Sequence, residues 1–164
     1  MGMDEVLDVI RSLDGVLVLS PEPGSAFPEI AWGDHFAYFA PDGVVPATQP
    51  FATLVTKDYP DDAASRLDPP GRWRLNVHVG ARVFEQLVGE SPRAFSERTD
   101  AGAAFDFAAS DVVLPHPVYG SLGWLAVVTP GERTLALALG LVREAHADAR
   151  RRAERRHGDA SVPD

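Results

Sequence analysis

Apolar and polar residues alternate without a break from position 72 to position 79. The apolar set is Trp73, Leu75, Val77 and Val79, and the polar set is Arg72, Arg74, Asn76 and His78. Because successive side chains of a strand point to opposite faces, this pattern predicts a half-buried β-strand. Such a strand is typical of an antiparallel sheet that is covered on one face, so the polar side chains are expected on the wet face.

Four more segments have the composition of strands, at residues 16–19, 35–39, 51–57 and 123–128. Amphipathic helices are predicted at residues 3–13 and 81–88, and the second is expected to end at Gly89. Two prolines exclude the segment 111–120 from a central strand. A last, long helix is predicted from a capping box in which Thr129 is the N-cap, Pro130 the first helical residue and Glu132 the returning side chain.

These elements predict one α+β domain over residues 1–156, followed by a disordered tail over residues 157–164. The sheet is expected to be antiparallel or mixed, with about five strands, helices largely on one face and a long C-terminal helix. At 164 residues the chain is long enough to bury a core without disulfides or a structural metal, and it contains no Cys.

Charge and hydropathy exclude several kinds of partner. The formal net charge is −9, which argues against nucleic acid binding over the whole surface. No apolar run approaches the roughly 20 residues that span a bilayer, and the first eight residues are acidic, unlike a signal peptide. A cytoplasmic protein without membrane contact is therefore expected.

Common catalytic signatures are missing from the sequence. There is no phosphate-binding glycine loop, no dinucleotide fingerprint, no nucleophile elbow and no thiol, so neither a cofactor nor a nucleophilic hydrolase is expected. The His residues lack the i, i+4 spacing of a helical metal site. A metal site is not expected, although His35, His78 and His116 on separate elements remain an alternative.

A set of polar and aromatic residues near strand ends is the candidate site. As catalytic groups we select Lys57, which is the only Lys, together with His116 and Tyr119; as ligand-binding groups we select Asp58, Asn76, His78 and Trp124. If the strands are neighbours, these groups suit a small polar or carbonyl-containing ligand. In an isomerase, cyclase or lyase, His116 would exchange a proton while Lys57 and Asn76 stabilise charge on an oxygen. The structural alternative is a solvated turn, a wet strand face and a rigid proline corner.

The end of the last helix is rich in arginine. Residues 143–156 carry six Arg against three acidic residues. A non-catalytic module that binds a protein or nucleic acid through this end is the alternative function, whereas cations near a helix C-terminus also stabilise the helix dipole. A homodimer that uses an exposed sheet face is a third alternative.

Three motifs carry a resemblance to a known family. They are FATLVTKD at residues 51–58, RLNV at 74–77 and PHPVYG at 115–120, the last followed by Trp124. In order and spacing they resemble an uncharacterised bacterial, mainly actinobacterial, domain of unknown function. The arrangement is also distantly similar to the YjbR-like group, which implies an antiparallel sheet and for which DNA binding has been suggested. The resemblance adds weight to Lys57, Asn76, His116, Tyr119 and Trp124, while the net acidity departs from a DNA-binding protein.

Overall fold

A computed structural model describes residues 2–161, the last three of them by backbone alone. The strands are β1 (Val16–Leu19), β2 (His35–Phe39), β3 (Ala52–Val55), β4 (Arg74–His78), β5 (Val113–Pro115) and β6 (Trp124–Val128). The helices are α1 (Met3–Ser12), α2 (Gly80–Val88), α3 (Pro92–Glu97), α4 (Ala101–Ala104) and α5 (Leu135–Ser161), with short 3-10 turns at Glu29–Ala31 and Gly120–Leu122.

All strands of the described chain pair antiparallel in one sheet, in the order β1-β2-β3-β4-β6-β5. The predicted α+β class is confirmed, but the sheet has six strands. The extra strand is β5, which lies in the proline-containing segment and pairs only with β6. An edge strand tolerates Pro115 because one of its sides needs no ladder hydrogen bond.

Helices cover one face of the sheet, as predicted. Leu54, Leu75 and Leu125 project from neighbouring strands into the main core, where they meet Ile10 of α1 and Val142 of α5. Each of these side chains is buried. The amphipathic patterns of α1 and α5 therefore bury their apolar stripes against the same sheet face.

The opposite face is not wet, which corrects the expectation for the alternating strand. Arg74 and Asn76 of β4 are only 2% and 3% exposed. The loops at residues 20–34 and 56–73 fold over this face, and Leu67 of the second loop packs on Val55 and Val128. The alternating pattern correctly predicted that one face of β4 is apolar. It could not predict that the polar face is buried, because the loops that cover this face are distant in sequence.

The predicted capping box of the last helix is wrong. Thr129 has a left-handed φ of 45°, and its N–H donates to the Trp73 carbonyl. Helix α5 begins only at Leu135, and its first turn is capped by the Asp111 carboxylate. Asp111 accepts from the backbone N–H groups of residues 131, 133 and 134 and from the Thr134 hydroxyl. The N-cap needs extended backbone, which the tight turn after β6 does not allow.

The far end of α5 extends to Ser161. It therefore includes residues 157–161 of the segment that was expected to be a disordered tail, and residues 162–164 lie outside the described part of the chain.

Candidate functional site

A cavity of about 520 Å³ lies on the loop-covered face of the sheet. We call it the main cavity. Its apolar wall comprises Pro28, Ile30, Ala31, Phe36, Tyr38, Pro50, Val55, Tyr59, Tyr119, Leu122 and Trp124, and its polar wall comprises Gln49, Thr53, Asp61, Asp62, Arg74, Asn76 and His116. This volume and this mixture of a large apolar lining with a few polar groups are typical of small-molecule sites.

Arg74 organises the polar wall. Its Nε donates to Asn76 Oδ1 at 2.7 Å, and its Nη1 donates to Ser65 Oγ at 2.8 Å. The two terminal nitrogens also pair with the Asp62 carboxylate, at 3.0 and 2.5 Å. Burial opposes ionisation of Asp62, but the hydrogen bonds and charge of Arg74 outweigh it and lower the pKa of Asp62 below its ordinary value. The Asp62 carboxylate is therefore ionised at neutral pH and forms an ion pair with Arg74.

The imidazole of His116 is locked in one tautomer. Its Nδ1 accepts from the backbone N–H groups of Val118 and Tyr119, at 3.0 and 2.9 Å. Since both partners are donors, Nδ1 carries no proton and the neutral ring has its proton on Nε2. Burial, together with the nearby charge of Arg74, lowers the pKa of His116 to about 3, against the attraction of Asp62. At neutral pH, His116 is therefore an uncharged hydrogen-bond donor.

In this tautomer, two hydrogen-bond donors face each other at the main cavity. Nε2 of His116 lies 3.1 Å from Nη2 of Arg74, and both atoms carry protons. The Asp62 Oδ2 atom is 3.7 Å from Nε2, beyond hydrogen-bonding distance. An acceptor oxygen placed against both donors would satisfy them.

Asn76 supplies a further donor beside them. Its Oδ1 is taken by Arg74, so its amide nitrogen is oriented toward Thr53, whose hydroxyl accepts at 2.9 Å. The second amide proton has no acceptor among residues 2–158, and the side chain lines the main cavity. Asn76 and His116 thus present adjacent N–H groups to the same space.

Aromatic side chains frame these donors. The rings of His116 and Tyr119 lie 4.8 Å apart, with Tyr119 half exposed at the rim. Trp124 is buried next to them, and Phe36 and Tyr38 of β2 contribute the opposite wall. A flat apolar body would bury its faces against such rings.

Lys57 and Asp58 lie away from this wall. The Lys57 ammonium donates to the Trp32 carbonyl at 2.7 Å and to Asp34 Oδ1 at 3.0 Å. Asp34 is fully buried and also accepts from the Tyr59 hydroxyl. Asp58 accepts from the Leu67 N–H. The Lys57 bonds join the two covering loops to each other, and the Asp58 bond closes the second loop on itself, so both side chains hold the covering loops in place.

His78 lies in a second, adjacent cavity of about 340 Å³. Its ring centroid is 5.6 Å from that of Trp124, which lines both cavities. The structure therefore brings Asn76, His116, Tyr119 and Trp124 together on the main cavity, whereas His78 lines only the second cavity, beside Trp124. Within residues 2–158, no group of three or more acidic or His side chains is placed to hold a metal ion.

Sequence inspection missed Arg74 and Asp62, the centre of the polar wall. Arg74 offered a signal, because it stands two residues before Asn76 on the same face of an alternating strand. Asp62 offered none, since it belongs to an acidic turn whose position over β4 is decided by the fold.

A family model described as a family of unknown function, DUF6194, matches residues 1–158. The chain belongs to the DUF6194 family. The match spans both cavities and confirms the resemblance to a domain of unknown function, while bacterial origin and the similarity to the YjbR-like group stay predictions. Comparison of this DUF6194 chain with curated proteins and with solved structures found no match. Within residues 2–161, no helix is both long and apolar enough to cross a membrane.

Proposed function

We propose that the main cavity binds a small organic molecule with an apolar, flat body and a neutral oxygen acceptor such as a carbonyl group. The observation that carries this proposal is the contact of two donors, His116 Nε2 and Arg74 Nη2, 3.1 Å apart. A ligand oxygen beside both nitrogens would accept from each and would lie within the region that Asn76 also lines. The aromatic walls would enclose the rest of the molecule.

Charge favours a neutral acceptor at this point. The positive charge of Arg74 is balanced by Asp62, and Asp61 adds a second carboxylate to the cavity wall. A carboxylate ligand in the same place would meet net negative charge. A carbonyl oxygen gains the hydrogen bonds without that repulsion.

The geometry supports binding and polarisation of a carbonyl more than proton abstraction by His116. The Nδ1 lone pair is occupied by two backbone donors, and the pKa of about 3 leaves little affinity for a proton at neutral pH. If the molecule is an enzyme, these donors stabilise negative charge that develops on the ligand oxygen. The acid or base is then supplied by another group of the ligand or the cavity wall.

The test uses acetophenone and ethylbenzene, which share an aromatic ring and differ in the carbonyl oxygen. Two-dimensional amide NMR of the full chain follows the resonances of the main cavity during titration. We expect acetophenone to shift them and to bind about tenfold more tightly than ethylbenzene, which is the net value of about one hydrogen bond. Asn76→Asp keeps an acceptor for Arg74 but removes the amide donor and adds a negative charge, and should reduce that preference. Equal binding of both probes would contradict the proposal.

The other functions proposed from the sequence have weaker support. Arg150 pairs with Glu154 and Asp14, and Arg151 pairs with Asp148, so two cations of the Arg-rich end are engaged within the chain. A protein or nucleic acid partner at this end, a homodimer and a cytoplasmic location stay predictions.

A further inference from the structure

The second cavity lies where the end of α5 passes the sheet next to the main cavity. We call it the arginine cavity, because Arg152 and Arg156 form its helical wall. Gln49, Pro50, Leu122 and Trp124 line both cavities and form the boundary between them. A molecule bound in the main cavity is therefore next to the arginine cavity.

Both arginines continue the inward-facing stripe of α5. Val142 and Ala145 are buried on this stripe, and Ala149 packs against the same core. Steps of three and four residues lead from Ala149 to Arg152 and then to Arg156, so these side chains leave the helix toward the protein.

Arg152 is partly buried, and among residues 2–158 its side chain makes no hydrogen bond and no ion pair, whereas Arg150 and Arg151 are both paired. Arg155 and Arg156 also lack such partners, but they are exposed to solvent. Burial and the adjacent guanidinium groups lower its pKa, against the attraction of Asp148. Removing a cation from water without a partner is costly, and an anion in the cavity would offset that cost.

The remaining walls are compatible with an anion. The described lining includes no carboxylate, and its polar groups besides the arginines are Thr48, Gln49 and His78. Burial, followed by the charge of Arg152, lowers the pKa of His78. The net charge of this wall is thus positive, opposite to that of the neighbouring main cavity.

We propose that the arginine cavity is an oxyanion subsite, which takes the carboxylate or phosphate group of the small molecule whose neutral body lies in the main cavity. The link between the two cavities rests on the proposed function, whereas the anion site stands on Arg152 and Arg156 themselves. The guanidinium fork matches both kinds of oxyanion, and Trp124 separates the anion from the carboxylates of the main cavity.

The first experiment titrates the full chain with acetate and, separately, with inorganic phosphate, while NMR follows the Trp124 indole and the Arg152 Nε–H groups. We expect saturable shifts with at least one probe, and the tighter of the two identifies the class of oxyanion. Arg152→Gln should weaken that binding at least tenfold. Arg155→Gln, an exposed neighbour outside the cavity wall, removes the same charge and should change it less than twofold. Equal losses in both variants would show only a diffuse positive potential and overturn the subsite.

A second experiment tests the link to the main cavity. 4-Acetylbenzoate adds a carboxylate to acetophenone, and we expect it to bind at least tenfold more tightly than acetophenone to the wild-type chain. Arg152→Gln should remove this gain and leave acetophenone binding unchanged. Absence of the gain would overturn the link. If acetophenone fails to bind while acetate or phosphate still depends on Arg152, the proposed function fails and the anion site stands.

Discussion

Arg74 and Asp62 meet in a two-pronged ion pair, with N–O distances of 3.0 and 2.5 Å, on the sheet face that the covering loops enclose. Asp62 belongs to one of these loops, so the pair joins loop to sheet at the polar wall of the main cavity. Both charges are largely removed from water, and each depends on the other for compensation.

We predict that Arg74→Met lowers the free energy of unfolding by about 3–5 kcal/mol, because Asp62 is left as an uncompensated buried charge. Urea unfolding at pH 7 measures this. The double variant Arg74→Met with Asp62→Leu should recover a large part of the loss. Arg93→Met removes an exposed pair with Glu97 and should change stability by less than about 0.5 kcal/mol. A small effect of the single Arg74 substitution would contradict the claim that Asp62 depends on Arg74 for charge compensation.

His116 is predicted to remain neutral far into the acid range. Its folded pKa of about 3 lies below the ordinary value of 6.5, so between these values the unfolded chain binds a proton that the folded chain does not. Stability therefore falls as the pH decreases from 6.5 toward 3, by about 1.4 kcal/mol for each unit of pKa separation. Imidazole nitrogen NMR should show Nε2 protonated from pH 8 to pH 4, and titration near pH 6.5 only in urea. A folded-state midpoint near 6 would refute the lowered pKa of His116.

Thr129 is predicted to be a site of strain. It is β-branched with a φ of 45°, and its buried hydroxyl is without a hydrogen-bond partner among the described residues. Thr129→Gly relieves both and should raise the free energy of unfolding by about 1 kcal/mol, since the relief exceeds the added flexibility of the unfolded chain. Thr129→Val removes the hydroxyl but keeps the branching, and should gain less. Thermal and urea unfolding measure both; a loss in the glycine variant would argue against strain.

Asp111 is predicted to stabilise α5 only while it is ionised. The Thr134 hydroxyl and then the backbone N–H groups of the first turn lower the pKa of Asp111 to about 2, although burial opposes this. Its contribution is therefore fully present above the unfolded value of 3.8 and disappears as the pH falls through about 2. Asp111→Asn, which tolerates the left-handed φ of 57°, should lower the melting temperature at pH 7. The difference from wild type should shrink between pH 4 and pH 2, and a difference independent of pH would exclude the charge as its cause.

Four of the seven proposed site residues lie on the main cavity, and this outcome has a physical explanation. Asn76 lies on β4, Trp124 on β6, and His116 and Tyr119 in the corner that precedes β6, so pairing of β4 with β6 brings them together. Lys57 follows β3 on the same face, but its ammonium turns toward the buried Asp34. No local sequence pattern predicts the burial of Asp34, because its hydrogen-bond partners lie more than twenty positions away in sequence.

The sequence by itself determined the elements whose signals are local. Hydrophobic periodicity located α1 and β2, a continuous apolar run located β1, and the left-handed Gly89 ended α2 where it was expected. Tertiary structure alone decided the strand order, the burial of Arg74, the capping of α5 by Asp111 and the tautomer of His116. A periodic pattern depends on neighbouring residues, whereas a buried charge or a capped helix end depends on whichever distant group the folded chain places against it.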